Sequence, residues 1–388
     1  MNEKAKSILR PLYAYGFMEA LIFWYAIEKL LWTASGVTPE QIIILGLVAQ
    51  SSQVLIEIPS SIIADRWSRR KTLILASAFM LLSIVIVLFS QTIIAFAVMS
   101  LSWACYFAFR SGTTNAYMYD LLKEKGEQSQ YRKAASRYST YQLSALLISS
   151  LGSSALIKTG SLLTPYWISL IPTVIAIMIL IRMHEPPVER TEKSTGTALH
   201  HVRSASRQIT KHGWLVMIFT ALSLVTAGQF IWYEYYQLFA INRGVAPVLF
   251  GVMLALIHVG NIVGAEFAHR VKNPNSVMLT ALLALLISSF SLAFVSSTVA
   301  IIIFLMMCFF GSTSASIVLE ESLQHQISSE LRATTLSLTG FMSRIFFGIG
   351  AVMIIFLNTT PKSIAFVTFL LFLCVAIYIP VRKKLTPA

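Results

Sequence analysis

Apolar runs of about 20 residues, one after another with short polar breaks between them, leave this chain few folds to choose from. They lie near 11–34, 41–64, 72–90, 93–112, 135–157, 162–183, 213–240, 247–268, 276–295, 297–319, 334–357 and 363–381. A helix rises about 1.5 Å per residue, so each run can cross the ~30 Å hydrocarbon core, and roughly twelve helical spans are expected. With 56% hydrophobic and 12% charged residues and a mean hydropathy of +0.71, the chain lacks the polar surface of a soluble domain. The first run contains Glu19, Glu28 and Lys29. It is therefore expected to stay as a span rather than act as a cleaved leader with a short uncharged core.

A formal charge of +13 raises the question of nucleic acid, but the basic residues fall on alternate loops. One set holds Lys4, Lys6 and Arg10, then Arg66 to Lys71, Lys123 to Lys133, Arg190 to Lys211, Arg270, Lys272, Arg332 and Arg382 to Lys384; the other holds Lys158, Arg243 and Lys362. The positive-inside rule then places both termini in the cytoplasm, with anionic lipid headgroups as partners of the excess charge and no nucleic acid. Cys105, Cys308 and Cys374 sit inside apolar runs without metal or pairing spacing and are read as packing residues.

The one long polar break, 184–212, separates six runs (1–183) from six (213–388) and reads as a cytoplasmic linker. The halves repeat. Trp24-Tyr25 and Gly36-Val37-x-Pro39 recur at one constant offset as Trp232-Tyr233 and Gly244-Val245-x-Pro247, and Ala64-Asp65-Arg66 matches Ala268-His269-Arg270. Such order indicates two six-helix bundles related by a pseudo-twofold axis. Between the second and third runs stands Ser61-x-x-x-Asp65-Arg66-x-Ser68-Arg69-Arg70-Lys71, which resembles the loop signature of the major facilitator superfamily, with Ser61 and Ser68 in place of its glycines. The runs Glu57-Ile58-Pro59, Ser111-Gly112-Thr113, Tyr119-Asp120 and Arg332 to Ser337 resemble a bacterial branch labelled drug or multidrug exporters. The resemblance implies an all-α, twelve-helix secondary transporter of a bacterial inner or plasma membrane, working as a monomer by alternating access. Its cargo would be a small molecule, its partners protons and lipids, and it would need no cofactor or metal.

Ionisable residues within spans are costly, so each is a functional candidate. Glu19 is mid-span, whereas Glu28 lies near the outer end beside Lys29. Nine residues put the two acids on opposite faces of a straight helix, so one is expected to be structural. Gln50, Gln53 and Glu57 share a face of the second span and suggest a polar stripe beside the Pro59 break; His258 and Asn261 are their counterparts in the second half. Glu57, Glu19 and then Glu234 are the proton-coupling candidates. Trp24, Tyr25, Trp232, Tyr233 and Gln237 offer either cavity walls or an interfacial belt. Asp65, Arg66, Arg69 and Arg70 are candidates for a conformational gate or, on the plainer reading, for topology alone; Asp65 is expected to pair with Arg69. Arg110 is expected to snorkel to the cytoplasmic surface, and Arg344 to pair with an acid such as Glu266 or to bind an anionic substrate. Glu320 and Glu321, at the inner end of the tenth run, are expected to form a gate or a helix-end contact with Arg332 rather than a substrate site.

The chain has no G-x-x-x-x-G-K-[ST] phosphate loop, H-E-x-x-H helix or G-x-S-x-G elbow, and the His200-His201 pair is read as solvated. The expectation is therefore a transporter and not an enzyme, with proton-coupled export of lipophilic or cationic compounds as the first reading. Metabolite uptake or exchange, or a receptor that kept the fold without transport, are the alternatives.

Overall fold

The computed structural model describes residues 3–186, 195–328 and 331–378, excepting the side chains of 58, 61, 62, 64–66, 195–202, 333, 377 and 378. Two compact units account for the chain. Unit 1 comprises Met1–Thr191 with Ala246–Ala255, and unit 2 comprises Glu192–Val245 with Leu256–Ala388.

Unit 1 contains α1 (Glu3–Glu19), α2 (Glu28–Ala34), α3 (Pro39–Arg66), α4 (Arg69–Phe89), α5 (Ile93–Arg110), α6 (Thr113–Glu124), α7 (Tyr131–Ile157) and α8 (Thr164–Arg182). Its core is built by α5 against α3 and α4, α8 against α4 and α1, and α7 against α1. Unit 2 contains α9 (Thr195–Thr210), α10 (Gly213–Asn242), most of α11 (Phe250–Arg270), α12 (Pro274–Phe294), α13 (Thr298–Gln326), α14 (Arg332–Phe356) and α15 (Pro361–Tyr378). Within it α10 packs on α13, α14 and α15, α12 packs on α13 and α15, and α9 lies on α10 and α14. The polar break between the halves thus contains a helix that belongs to unit 2.

Ten helical stretches among the described residues are long and apolar enough to cross a bilayer, and a shorter apolar helix covers Pro361–Ala376. The difference from twelve lies chiefly in the first run, which is not one helix. α1 stops at Glu19, and a 3-10 turn, Tyr25–Ile27, precedes α2. Backbone groups freed inside a membrane need partners. Phe23 finds them in two serines, its N–H donating to Ser169 Oγ at 3.0 Å and its carbonyl accepting from Ser153 Oγ. Fixing this interruption takes α7 and α8, which explains why the local sequence of the run gives no sign of it.

The internal repeat is visible as one helix ending used twice. Gly36 and Gly244 have φ of +88° and +69°. The next residue donates back in each case, Val37 N to Trp32 O and Val245 N to Ala240 O, both at 3.0 Å, and both valines are buried. This is a glycine-dependent C-terminal cap. A β-carbon at either glycine would meet nothing within 4 Å, so the cost of Gly36→Ala or Gly244→Ala comes from the left-handed backbone alone. Each is expected to destabilise by about 1 kcal/mol, with asparagine better tolerated. Thermal midpoints of the two alanine variants in detergent check this, and a large difference between them would show that the caps are not equivalent.

Candidate functional site

The interruption of the first run leaves Glu19 buried at the end of α1. Glu19 closes α1, next to carbonyls that have no further helix to bond, where the helix dipole disfavours an acid. Compensation comes from α5, because Arg110 Nε donates to Glu19 Oε2 at 2.8 Å. Tyr15 OH, one turn back on α1, donates to Glu19 Oε1, and Ser77 of α4 donates to the same oxygen at 3.4 Å. The Arg110 guanidinium lies 5.8 Å from the ring centre of Tyr106. Glu19 is 1% exposed, and Tyr15, Ser77, Tyr106 and Tyr138 are buried. Gly16 makes room for the set, since a β-carbon there would overlap the Tyr138 ring.

Snorkelling of Arg110 is therefore corrected to a part-buried ion pair. The physical reason is helix continuation. After the Ser111–Gly112 turn the chain resumes as α6 to Glu124, which puts Arg110 on the order of 20 Å of helix from that end. Glu28 pairs with Lys29 at 2.7 Å, and Lys29 Nζ sits 4.0 Å above the Trp32 ring. Both partners are buried, so these charges form a second, local pair.

Unit 2 has a neutral counterpart. Asn261 of α11 accepts at Oδ1 from Thr313 Oγ1 at 2.7 Å and from Gln229 Nε2 at 3.2 Å, and its Nδ2 donates to Tyr233 OH at 2.5 Å. The Tyr233 ring packs edge-on against Phe309 at 4.5 Å and lies 6.3 Å from His258. Buried His258 has no hydrogen-bond partner at Nε2 in the structure.

The remaining candidates separate. Trp24 and Trp232 are fully buried. Trp24 packs among Tyr166, Trp103 and Tyr25, and Trp232 packs against Phe239, so both indoles are core residues rather than exposed walls. Gln237 is also buried, whereas Tyr25, Gln50, Gln53, Glu57 and Glu234 keep part-exposed side chains. Arg344 lies 6.0 Å from the Phe230 ring centre and donates to Gly340 O at 3.4 Å. Its expected acid, Glu266, instead accepts from Arg270 at 2.5 Å, one turn along an exposed helix face. Glu320 accepts from Gln324 at 2.8 Å, and Arg332 meets the Gln324 carbonyl at 3.1 Å rather than either acid.

For the hairpin, the side chains of Asp65 and Arg66 lie outside the described residues, as do those of His200 and His201. Arg69 pairs with Asp120 of α6 and donates to Ala116 O at 2.7 Å. Arg70 meets Glu185 at 3.4 Å and donates to Met183 O at 2.7 Å. Arg69 is thus held by an acid from another helix, which loop-local spacing did not reveal. Sequence reasoning also passed over Tyr15 and Gln229, although each lies one helical turn from a flagged residue, Glu19 and Tyr233 respectively. Ser77, Tyr138 and Thr313 are brought in only by tertiary packing.

Ten helices of membrane-crossing length and apolarity among the described residues, in two units, mark an integral membrane protein. The sequence matches the Major Facilitator Superfamily over residues 12–352, and the chain belongs to that family. It is accordingly a transporter-family protein and not an enzyme. The fold is shared with solved transporters. A variant of the nucleoside transporter NupG superposes with a TM-score of 0.77 at 14% identity, covering 98% of this chain and 100% of the other. A bacterial homologue of the human lysosomal transporter Spinster gives 0.72 at 14%, covering 100% of both. A D-xylose–proton symporter gives 0.68 at 14%, covering 98% and 100%. No curated protein matches in sequence.

Proposed function

We infer that the chain is a proton-coupled secondary transporter of a small polar molecule, with Glu19 as the coupling carboxylate and alternating access as its mode of action. The observation that carries the coupling is the Glu19–Arg110 pair. Glu19 is the most buried of the three acids considered, and its charge is balanced by a single guanidinium at 2.8 Å. Protonating Glu19 cancels the pair and releases Arg110 from the end of α1. This gives two electrostatic states of one bundle that a proton selects between, and a conformational equilibrium can be biased in that way. Glu57 and Glu234 are second-rank candidates because both are part-exposed.

The cargo reading rests on the Asn261 set. Two amides, a hydroxyl and a phenol form a neutral donor and acceptor surface beside the Tyr233 and Phe309 rings, which suits an uncharged polar metabolite in uptake or exchange. Export of lipophilic or cationic compounds is the second reading, supported by Glu234 and the neighbouring Tyr233, both part-exposed. Flux into proteoliposomes under an imposed pH gradient separates them, using one panel of sugars, nucleosides and peptides and another of lipophilic cations. Uptake from the first panel, lost in Asn261→Leu, supports the polar reading. Movement confined to the cations, insensitive to that change, contradicts it.

A further inference from the structure

At the junction of α9 and α10, unit 2 contains a cavity of about 570 Å³ whose described lining includes Arg207, Gln208, Lys211, His212, Trp214 and Gln326, with no acid among the described lining residues. The residues around it are held in place. Ala205 and Ile209 bury the apolar face of α9, which packs on α10 and α14. Gln208 donates weakly to Gln326 O at 3.5 Å and accepts from Ser328 Oγ at 3.4 Å. Arg207 and Lys211 meanwhile keep exposed side chains at the cavity, so the scaffold is anchored while the cations remain available.

Two further features give the cavity a positive field. α10 starts after His212 and α14 after Leu331; neither cap residue makes a side-chain cap hydrogen bond, and both line the cavity. The positive ends of two long helices therefore converge where two permanent cations already lie. The depth also suits a headgroup. The cavity sits where the spans α10, α13 and α14 all have an end, and Trp214, in the first turn of α10, is of a type enriched at the membrane interface.

We propose that this cavity binds a phosphate group, from either an anionic phospholipid headgroup or a free phosphate, through Arg207, Lys211 and the starts of α10 and α14. This goes beyond the transport reading and does not rest on it, because the cavity shares no residue with the Glu19 or the Asn261 set.

The test measures the thermal midpoint of the purified full chain in neutral detergent, titrated separately with inorganic phosphate, phosphatidylglycerol and phosphatidylcholine. The expected result is a saturable rise with phosphatidylglycerol, with inorganic phosphate, or with both, and none with phosphatidylcholine. Removing two charge-assisted contacts in R207Q/K211Q should weaken the apparent Kd about tenfold or more, while K133Q/R137Q, which removes as much charge from α7, should respond as the native chain does. A response to phosphatidylglycerol alone identifies a lipid; a response to inorganic phosphate identifies the free anion as sufficient. No rise with either probe, or an equal rise in R207Q/K211Q, overturns the proposal.

Discussion

Glu19→Gln is expected to abolish transport driven by a pH gradient while leaving the protein folded but less stable. The amide can still accept one hydrogen bond, but Arg110 loses the carboxylate 2.8 Å from its Nε in a cluster where Tyr15, Ser77, Tyr106 and Tyr138 supply no charge. Breaking one side of a buried pair leaves the other charge uncompensated, which costs about 3 kcal/mol. The Arg110 side chain is 21% exposed, so water recovers part of this, and about 2 kcal/mol is the better expectation. The double change Glu19→Leu with Arg110→Met should regain much of the stability, since replacing both partners by apolar groups removes the penalty, yet it should not regain coupling. Thermal midpoints and gradient-driven flux, measured on the same preparations, distinguish a structural pair from a coupling one. Recovery of both in the double variant would make the pair merely structural.

Gly264→Leu is the second large effect, and it acts through packing. A β-carbon at Gly264 would lie 2.5 Å from Phe310 O, and one at Gly260 would lie 2.5 Å from Met306 O, so α11 meets the α13 backbone directly along a Gly-x-x-x-Gly face. Ser314 Oγ ties the same helices by donating to Gly264 O at 2.9 Å. A carbonyl fixed in a helix cannot turn aside as a side-chain tip can. The leucine therefore forces α11 and α13 apart, at about 3 kcal/mol. The same movement displaces Asn261 of α11 from Thr313 of α13. Low yield of monodisperse protein and a lowered thermal midpoint are expected, and a Gly264→Leu chain as stable as the native one would refute this account of the interface.

What could be read in the sequence follows from the range of the interactions. Apolar run length, the duplicated Trp-Tyr and Gly-Val-x-Pro segments and the charged hairpin are local patterns, and they sufficed for the all-helical class and for the family. The Gly36 and Gly244 caps show why, because the duplicated residues perform the same backbone task in each half. The broken first span was not legible, since Ser153 and Ser169 of distant helices stabilise its opened backbone. Arg110 was misjudged because the apolar run ended before the helical path did, at α6. For Arg69 the loop pattern pointed to Asp65, whose side chain lies outside the described residues, and gave no sign of Asp120, which reaches it from 51 residues away. Interruptions and long-range ion pairs belong to tertiary structure, and the charged site is built from both.

The most direct test of proton coupling at Glu19 is the change in bound protons when cargo is added to the purified protein in weakly buffered detergent, comparing the native chain with Glu19→Gln and Glu57→Gln. The account predicts a cargo-dependent change in the native chain and in Glu57→Gln, proton uptake where cargo and proton move together and release where they exchange, and none in Glu19→Gln with cargo binding retained. A change that persists in Glu19→Gln, or that vanishes only in Glu57→Gln, would contradict it.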